Sequence, residues 1–149
     1  MRTIKVQHFI FAPIERVFEL LTEHAGYVRL PGVKSAKLTR LGTTEPNGLG
    51  AVRELRLGLA CFVEEITAFE RPTRFEYRIV QSRPKLEHQL GRLTFRAVSG
   101  GTEICWTSTF RVAVPLLGGL LTFAAARQMT TAFRHALRAV EQLAAASPD

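Results

Sequence analysis

From Leu117 to Ala146 the chain carries no proline, and several strand-like segments at hairpin spacing lead directly into it. No other feature constrains the fold as much. An antiparallel sheet with one apolar face must bury that face against another layer. The two helical segments near the amino terminus are too short to cover it, so the terminal helix must lie across the sheet. Phe133, Ala136, Leu137, Val140 and Leu143 form its apolar stripe, and Arg127, Arg134, Arg138 and Glu141 its polar one. Such a helix would be roughly 40 Å long. Gly118 and Gly119 weaken its first turn, and Ser147, Pro148 and Asp149 read as a frayed tail.

The rest of the order follows from periodicity. Thr3 to Phe11 alternates, with Ile4, Val6, His8 and Ile10 on the better-buried face of a strand. Pro13 is suited to a first helical position. Ile14, Val17, Phe18, Leu20 and Leu21 then recur at helical spacing to Thr22, and His24 to Leu30 forms a second short helix before Pro31-Gly32. Strands follow at Val33–Leu41, Ala51–Leu57, Ala60–Phe69, Phe75–Gln81, His88–Val98 and Thr102–Val112, joined by turn residues. The fold class is therefore α+β: a seven-stranded curved antiparallel sheet wrapped around a long C-terminal helix, with two short helices after the first strand. A twisted sheet closing on one helix leaves a wedge-shaped interior that need not fill with side chains.

A chain of 149 residues suits a single domain spanning 1–149. The net charge of +7 comes mostly from arginines scattered along the sequence, Arg29, Arg53, Arg78 and Arg127 among them, with no basic block. The charge reads as a solvated surface and excludes a nucleic-acid arm; an anionic partner or lipid head group is the other reading. Cys61 and Cys105 lie in apolar strand patterns and read as free buried thiols. Without a CxxC or Cys/His pair no metal is expected, nor is a cofactor. The amino terminus lacks the apolar core of a signal peptide. The stretch Val112–Ala126 is shorter than the ~20 residues of a membrane span. A cytoplasmic, reduced protein is the expectation.

This order resembles the helix-grip superfamily, which includes START domains, birch-pollen-allergen-like proteins, aromatic polyketide cyclases and coenzyme-Q-binding proteins. The resemblance covers essentially the whole chain. Its residues are the first strand into Ala12-Pro13, Leu30-Pro31-Gly32, the run Glu64 to Pro72 leading into Phe75-Glu76-Tyr77, and Gly100-Gly101-Thr102 before Ile104 and Trp106, with the terminal helix after them. It implies the polyketide cyclase/dehydrase and lipid-transport branch, with a hydrophobic small molecule bound between sheet and helix. Cyclase members guide aldol cyclisation and dehydration of a polyketide, whereas others only carry lipids or quinones. A non-catalytic carrier and a protein-interaction module on the same fold are the alternatives.

Chemistry in such a cavity needs a buried acid or base. Glu64 alternates with Phe62 and Ile66 and shares their face if the strand is regular. If Phe69 pairs with Phe75, Thr67 faces with Tyr77 and Glu65 points inward instead; a bulge would reverse that. Glu54 lies opposite Leu55 and Leu57. Tyr77 suits a hydrogen bond to a ligand carbonyl, or a core position with its hydroxyl at the rim. His88 reads as a polar strand-end residue and as a weak catalytic candidate. His8 and His24 stand in no spacing relation to a carboxylate. Phe62, Phe75, Tyr77, Phe95, Trp106, Phe110, Phe123, Met129 and Phe133 are the candidate walls. By the resemblance, Tyr27 and Leu30 sit at the mouth.

The segment Val114–Ala126, VPLLGGLLTFAAA, is apolar on nearly every helical face. Three readings stand: burial under the short helices, a homodimer contact, or a peripheral membrane contact with nearby arginines meeting anionic head groups.

Overall fold

The computed structural model describes residues 1–146; the tail at 147–149 lies outside the described residues. The order is β1 (Arg2–Ile10), α1 (Ile14–Thr22), a 3-10 turn (His24–Arg29), β2 (Val33–Arg40), β3 (Val52–Leu57), β4 (Ala60–Glu70), β5 (Arg74–Arg83), β6 (Leu86–Val98), β7 (Gly101–Val112) and α2 (Gly118–Ala146). All seven strands form one antiparallel sheet in the order β1-β7-β6-β5-β4-β3-β2. From β3 to β7 each strand pairs with the next through a short turn, β2 reaches β3 through the longer loop 41–51, and only β1 with β7 pairs strands distant in sequence.

Pro13 lies one position before the helix, at φ −59°, rather than inside it. Val17, Phe18, Leu20 and Leu21 turn inward from α1, and Phe18 meets Phe69, Phe75 and Phe95 edge-on at centroid distances of 5.1–6.3 Å. These rings, with Ile10, Ile66, Leu93, Ile104, Leu137 and Val140, seal one end of the wedge. Helix α2 lies against the same face, and the Trp106 and Phe133 rings stack at 3.8 Å and 9°. Phe75 and Phe95, expected as cavity walls, are consumed by this packing, and Phe110, expected there too, is buried in the core toward the other end without bordering the cavity.

Two irregularities set what faces inward. In β4, Phe69 does pair with Phe75, but Thr67 is bulged out and Ile66 takes Tyr77 as its partner. The extra residue reverses the parity that would have pointed Glu65 inward. Glu64 is therefore buried, while Glu65 turns outward and binds Arg40. Between β5 and β6 the ladder stops at Tyr77 opposite Gly91. Beyond it the His88 ring spans the opening: its Nδ1 accepts from the Ile79 amide at 3.0 Å, and its Nε2 lies 3.1 Å from Ser108 Oγ. His88 is thus a buried bridge, not a polar strand end. Both cysteines are free but half-buried, since their side chains do not share the sheet's inner face.

The start of α2 departs from the burial expectation. Thr122 is its first buried residue. Its hydroxyl accepts from the Val112 amide and donates to the Gly118 carbonyl, which latches the helix start to the end of β7. Residues before it project past the sheet, so Val114, Leu116, Leu117, Leu120 and Leu121 are exposed, as is Phe123 just after it. Among the described residues no helix is long and apolar enough to cross a membrane.

Candidate functional site

The unfilled end of the wedge is a cavity of about 130 Å³. Leu55, Leu57, Phe62, Ile79 and Trp106 form its sheet wall; Met129, Ala132, Phe133 and Ala136 form its helix wall. Leu30, Pro31 and Val33 border it where the chain enters β2. The remaining lining is polar: Tyr27, Arg53, Glu64 and Tyr77.

Arg53 is the centre of that polar group, and the sequence reading placed it wrongly among solvated arginines. It is 1% exposed. The signal was present: Arg53 shares parity with Ala51, Leu55 and Leu57 on β3, so a regular strand must turn it inward. It is the direct cross-strand partner of Glu64. Its Nε donates to Glu64 Oε1 at 2.7 Å, its Nη2 lies 2.6 Å from the same oxygen, and Nη1 donates to His24 Nδ1 at 3.1 Å. The guanidinium lies between the Tyr27 and Tyr77 rings, 4.6 and 5.1 Å from their centroids, where the ring faces favour a cation. Burial is the largest single influence and works against the charge, but Glu64 together with Tyr27 and Tyr77 outweighs it and holds the Arg53 pKa above its usual value.

His24, left without a partner by its spacing, completes the cluster through tertiary contact. Burial and then the Arg53 charge push its pKa down to about 3. A neutral ring with Nδ1 accepting from Arg53 must carry its proton on Nε2, which donates to the Asn47 carbonyl at 2.9 Å. Burial, with Arg78 behind it, likewise pushes His88 to about 4. The Tyr27 hydroxyl donates to the Leu21 carbonyl at 2.6 Å and is spent structurally. Tyr77 is different. Its oxygen accepts from Trp106 Nε1 at 3.0 Å, but its own proton meets no acceptor among the described residues. Burial, then the Glu64 charge, pushes its pKa up and keeps that proton in place.

Glu64 has a matching vacancy. Both of its ion-pair contacts use Oε1, and Oε2 receives no hydrogen bond from any described residue. Among the described residues the only sealed side-chain polar atom without a partner is Arg16 Nε. Glu64 Oε2 is therefore not sealed, and it opens on the cavity that Glu64 lines. The wall offers a small molecule one acceptor, Glu64 Oε2, and one donor, Tyr77 O–H. A lone unpaired carboxylate against apolar walls would be expensive to bury; Arg53 makes it tolerable. Tyr77 is positioned by β6, where a Cβ on Gly91 would fall 2.2 Å from the ring. Glycine is required there by this close approach.

Of the other candidates, Tyr27, Leu30, Phe62, Trp106, Met129 and Phe133 border the cavity. Phe123 does not: it lies on the outer side of α2 beneath Arg2 and Arg127, at 5.0 and 5.9 Å. His8 reaches Glu141 on α2 at 3.4 Å and ties β1 to the helix. No group of three or more metal-ligating side chains occurs among the described residues.

A sheet gripping a terminal helix, with an apolar cavity between them, is the architecture of the helix-grip proteins. The chain belongs to the polyketide cyclase/dehydrase and lipid transport family, whose model matches residues 1–145. Its fold is similar to that of a protein from Thermus thermophilus, at a TM-score of 0.81 and 22% identity over 98% of this chain and all (100%) of that one. It is also similar to a START superfamily protein from Mycobacterium smegmatis, at 0.76 and 12% over 94% of each chain. Ara h 8.0201 matches at 0.72 and 17% over 98% of this chain and 99% of that one. Comparison with curated proteins gives no match.

Proposed function

We propose that this protein binds a hydrophobic small molecule between sheet and α2 and orients it by a single polar end. The carrying observation is the vacant acceptor and donor, Glu64 Oε2 and Tyr77 O–H, on an otherwise apolar wall. They suit a ligand whose polar end offers a hydroxyl and a carbonyl oxygen, as in a polyketide, a hydroxylated lipid or a quinone. A volume near 130 Å³ holds about one aromatic ring, so a longer ligand enters as Met129 and α2 give way.

Mass spectrometry of the freshly purified protein under native conditions, followed by solvent extraction, tests this reading. A co-purified apolar compound with one oxygenated end is the expected result. Equal ligand affinity in the wild type and in Glu64→Gln/Tyr77→Phe would remove the polar pair from the account.

The same pair favours a second reading, a cyclase- or dehydratase-like enzyme. A proton donor at a carbonyl and a carboxylate at the adjacent carbon are what enolisation requires. Here Tyr77 would polarise the carbonyl and Glu64 would take the α-proton. Turnover that falls in Glu64→Gln while binding persists supports the enzyme; binding without turnover of any offered polyketone supports the carrier.

A further inference from the structure

The two most exposed apolar side chains, Leu116 and Leu59, lie at the same end of the sheet. The strand register places the β3–β4 turn, the β5–β6 turn, the start of β1 and the end of β7 there together, since Leu57 pairs with Ala60 and with Val33, Arg83 with Cys61, and Val112 with Leu86. Leu59 tops the first turn at 99% exposure, and Leu116, Leu117 and Leu120 project from the start of α2. Leu116 is fully exposed and is held at φ +66°, a left-handed conformation that disfavours leucine. The Leu117 amide donates to the Pro115 carbonyl at 2.7 Å across it, a tight turn that leaves the leucine side chain outside the fold.

Charge decides what covers this end. Arg2 and Arg127 lie over Phe123 in the first turns of α2 and, with Arg134, line one groove, and Arg83 and Lys85 occupy the β5–β6 turn. None of these makes an ion pair among the described residues, while the nearby acid, Glu87, is taken by Arg111. A two-fold pairing of the patch with itself would set arginine against arginine. Apolar side chains rimmed by unpaired cations instead match a bilayer with anionic head groups.

We propose that this end of the protein docks on an anionic lipid surface, with Leu59, Leu116, Leu117 and Leu120 entering the interface and Arg2 and Arg127 at the head groups. Val33 and Leu57, cross-strand partners at this end, also line the cavity, so docking would set the cavity's rim at the lipid. The docking residues are not those proposed to hold a ligand, and the two readings can fail separately.

Co-sedimentation of the full chain with phosphatidylcholine vesicles, with and without phosphatidylglycerol, tests the proposal. Binding is expected to the anionic vesicles and to weaken as salt rises. Leu116→Ser/Leu120→Ser should lower the partition coefficient roughly tenfold or more, and Arg2→Gln/Arg127→Gln should flatten the salt dependence. Circular dichroism checks that both variants remain folded, and a Leu59→Ser variant, in a different element, provides an independent loss. Absence of binding to anionic vesicles, or binding unchanged in all three variants, would overturn the proposal. So would light scattering that shows a dimer in solution dissolved by the leucine substitutions.

Discussion

Replacing Glu64 by leucine should isolate the energetics of the buried pair. The substitution removes the carboxylate and leaves the Arg53 guanidinium, 1% exposed, with only the neutral His24 and two ring faces around it. Breaking a buried pair from one side costs about 3–5 kcal/mol, because an uncompensated charge stays behind. With an m-value of about 2 kcal/mol/M in urea, the midpoint should fall by roughly 1.5–2.5 M. Adding Arg53→Met removes the stranded charge and replaces the stem with an apolar one of similar length. The double variant should return to within about 1–2 kcal/mol of wild type, so Arg53→Met should recover about 2–3 kcal/mol in the Glu64→Leu background although it costs stability in the wild type, the non-additivity expected of sites in direct contact. Urea titrations followed by Trp106 fluorescence and by far-ultraviolet circular dichroism would measure all four corners of the cycle. Additivity within about 0.5 kcal/mol would refute the reasoning, because it would mean that Arg53 does not depend on Glu64 for its tolerance in the core. A double variant that is stable but no longer retains ligand would assign the pair to binding rather than to folding.

Acid should destabilise the protein well before its carboxylates are protonated. His24 and His88 titrate near 6.5 when unfolded but at about 3 and about 4 when folded. Between those limits the unfolded chain holds more protons, so stability is full above pH 6.5 and falls as pH drops. From pH 7 to pH 5 the loss should be about 2 kcal/mol per histidine, and a His88→Gln variant should show a correspondingly shallower decline in melting temperature. Gly91→Ala should force the Tyr77 ring off the cavity wall, at about 1–3 kcal/mol, visible as altered Trp106 fluorescence because the two side chains are hydrogen-bonded; an unchanged spectrum would contradict the packing described. Phe133→Ala removes the stack on Trp106 and should cost about 3 kcal/mol in chemical denaturation, while the enlarged cavity should take up an apolar dye more tightly than wild type does.

Much of the fold was legible because each element announces itself locally. Alternation marked the strands, the 3.6-residue stripe marked α2, and turn residues marked the hairpins. The need to cover one sheet face then left α2 only one place to go. Part of the cavity lining was legible too: Tyr27, Leu30, Phe62, Tyr77, Trp106, Met129 and Phe133 all border it. Arg53 was the serious omission. Its parity on β3 matched Leu55 and Leu57, but a charge normally argues for the surface, and only the opposing Glu64 licenses its burial.

By itself the amino-acid sequence determined which segments are strands and helices, their order, and the layer that must close the sheet, because those follow from short-range periodicity and from the requirement to bury an apolar face. The tertiary structure alone decided the rest. A one-residue bulge at Thr67 chose Glu64 over Glu65 for the interior, and no pattern along β4 records where a bulge falls. The meeting of His24 with Arg53 joins residues 29 positions apart. The apolar start of α2 is uncovered because the sheet ends before the helix does, and where two elements end relative to one another is a property of their packing, not of either sequence pattern.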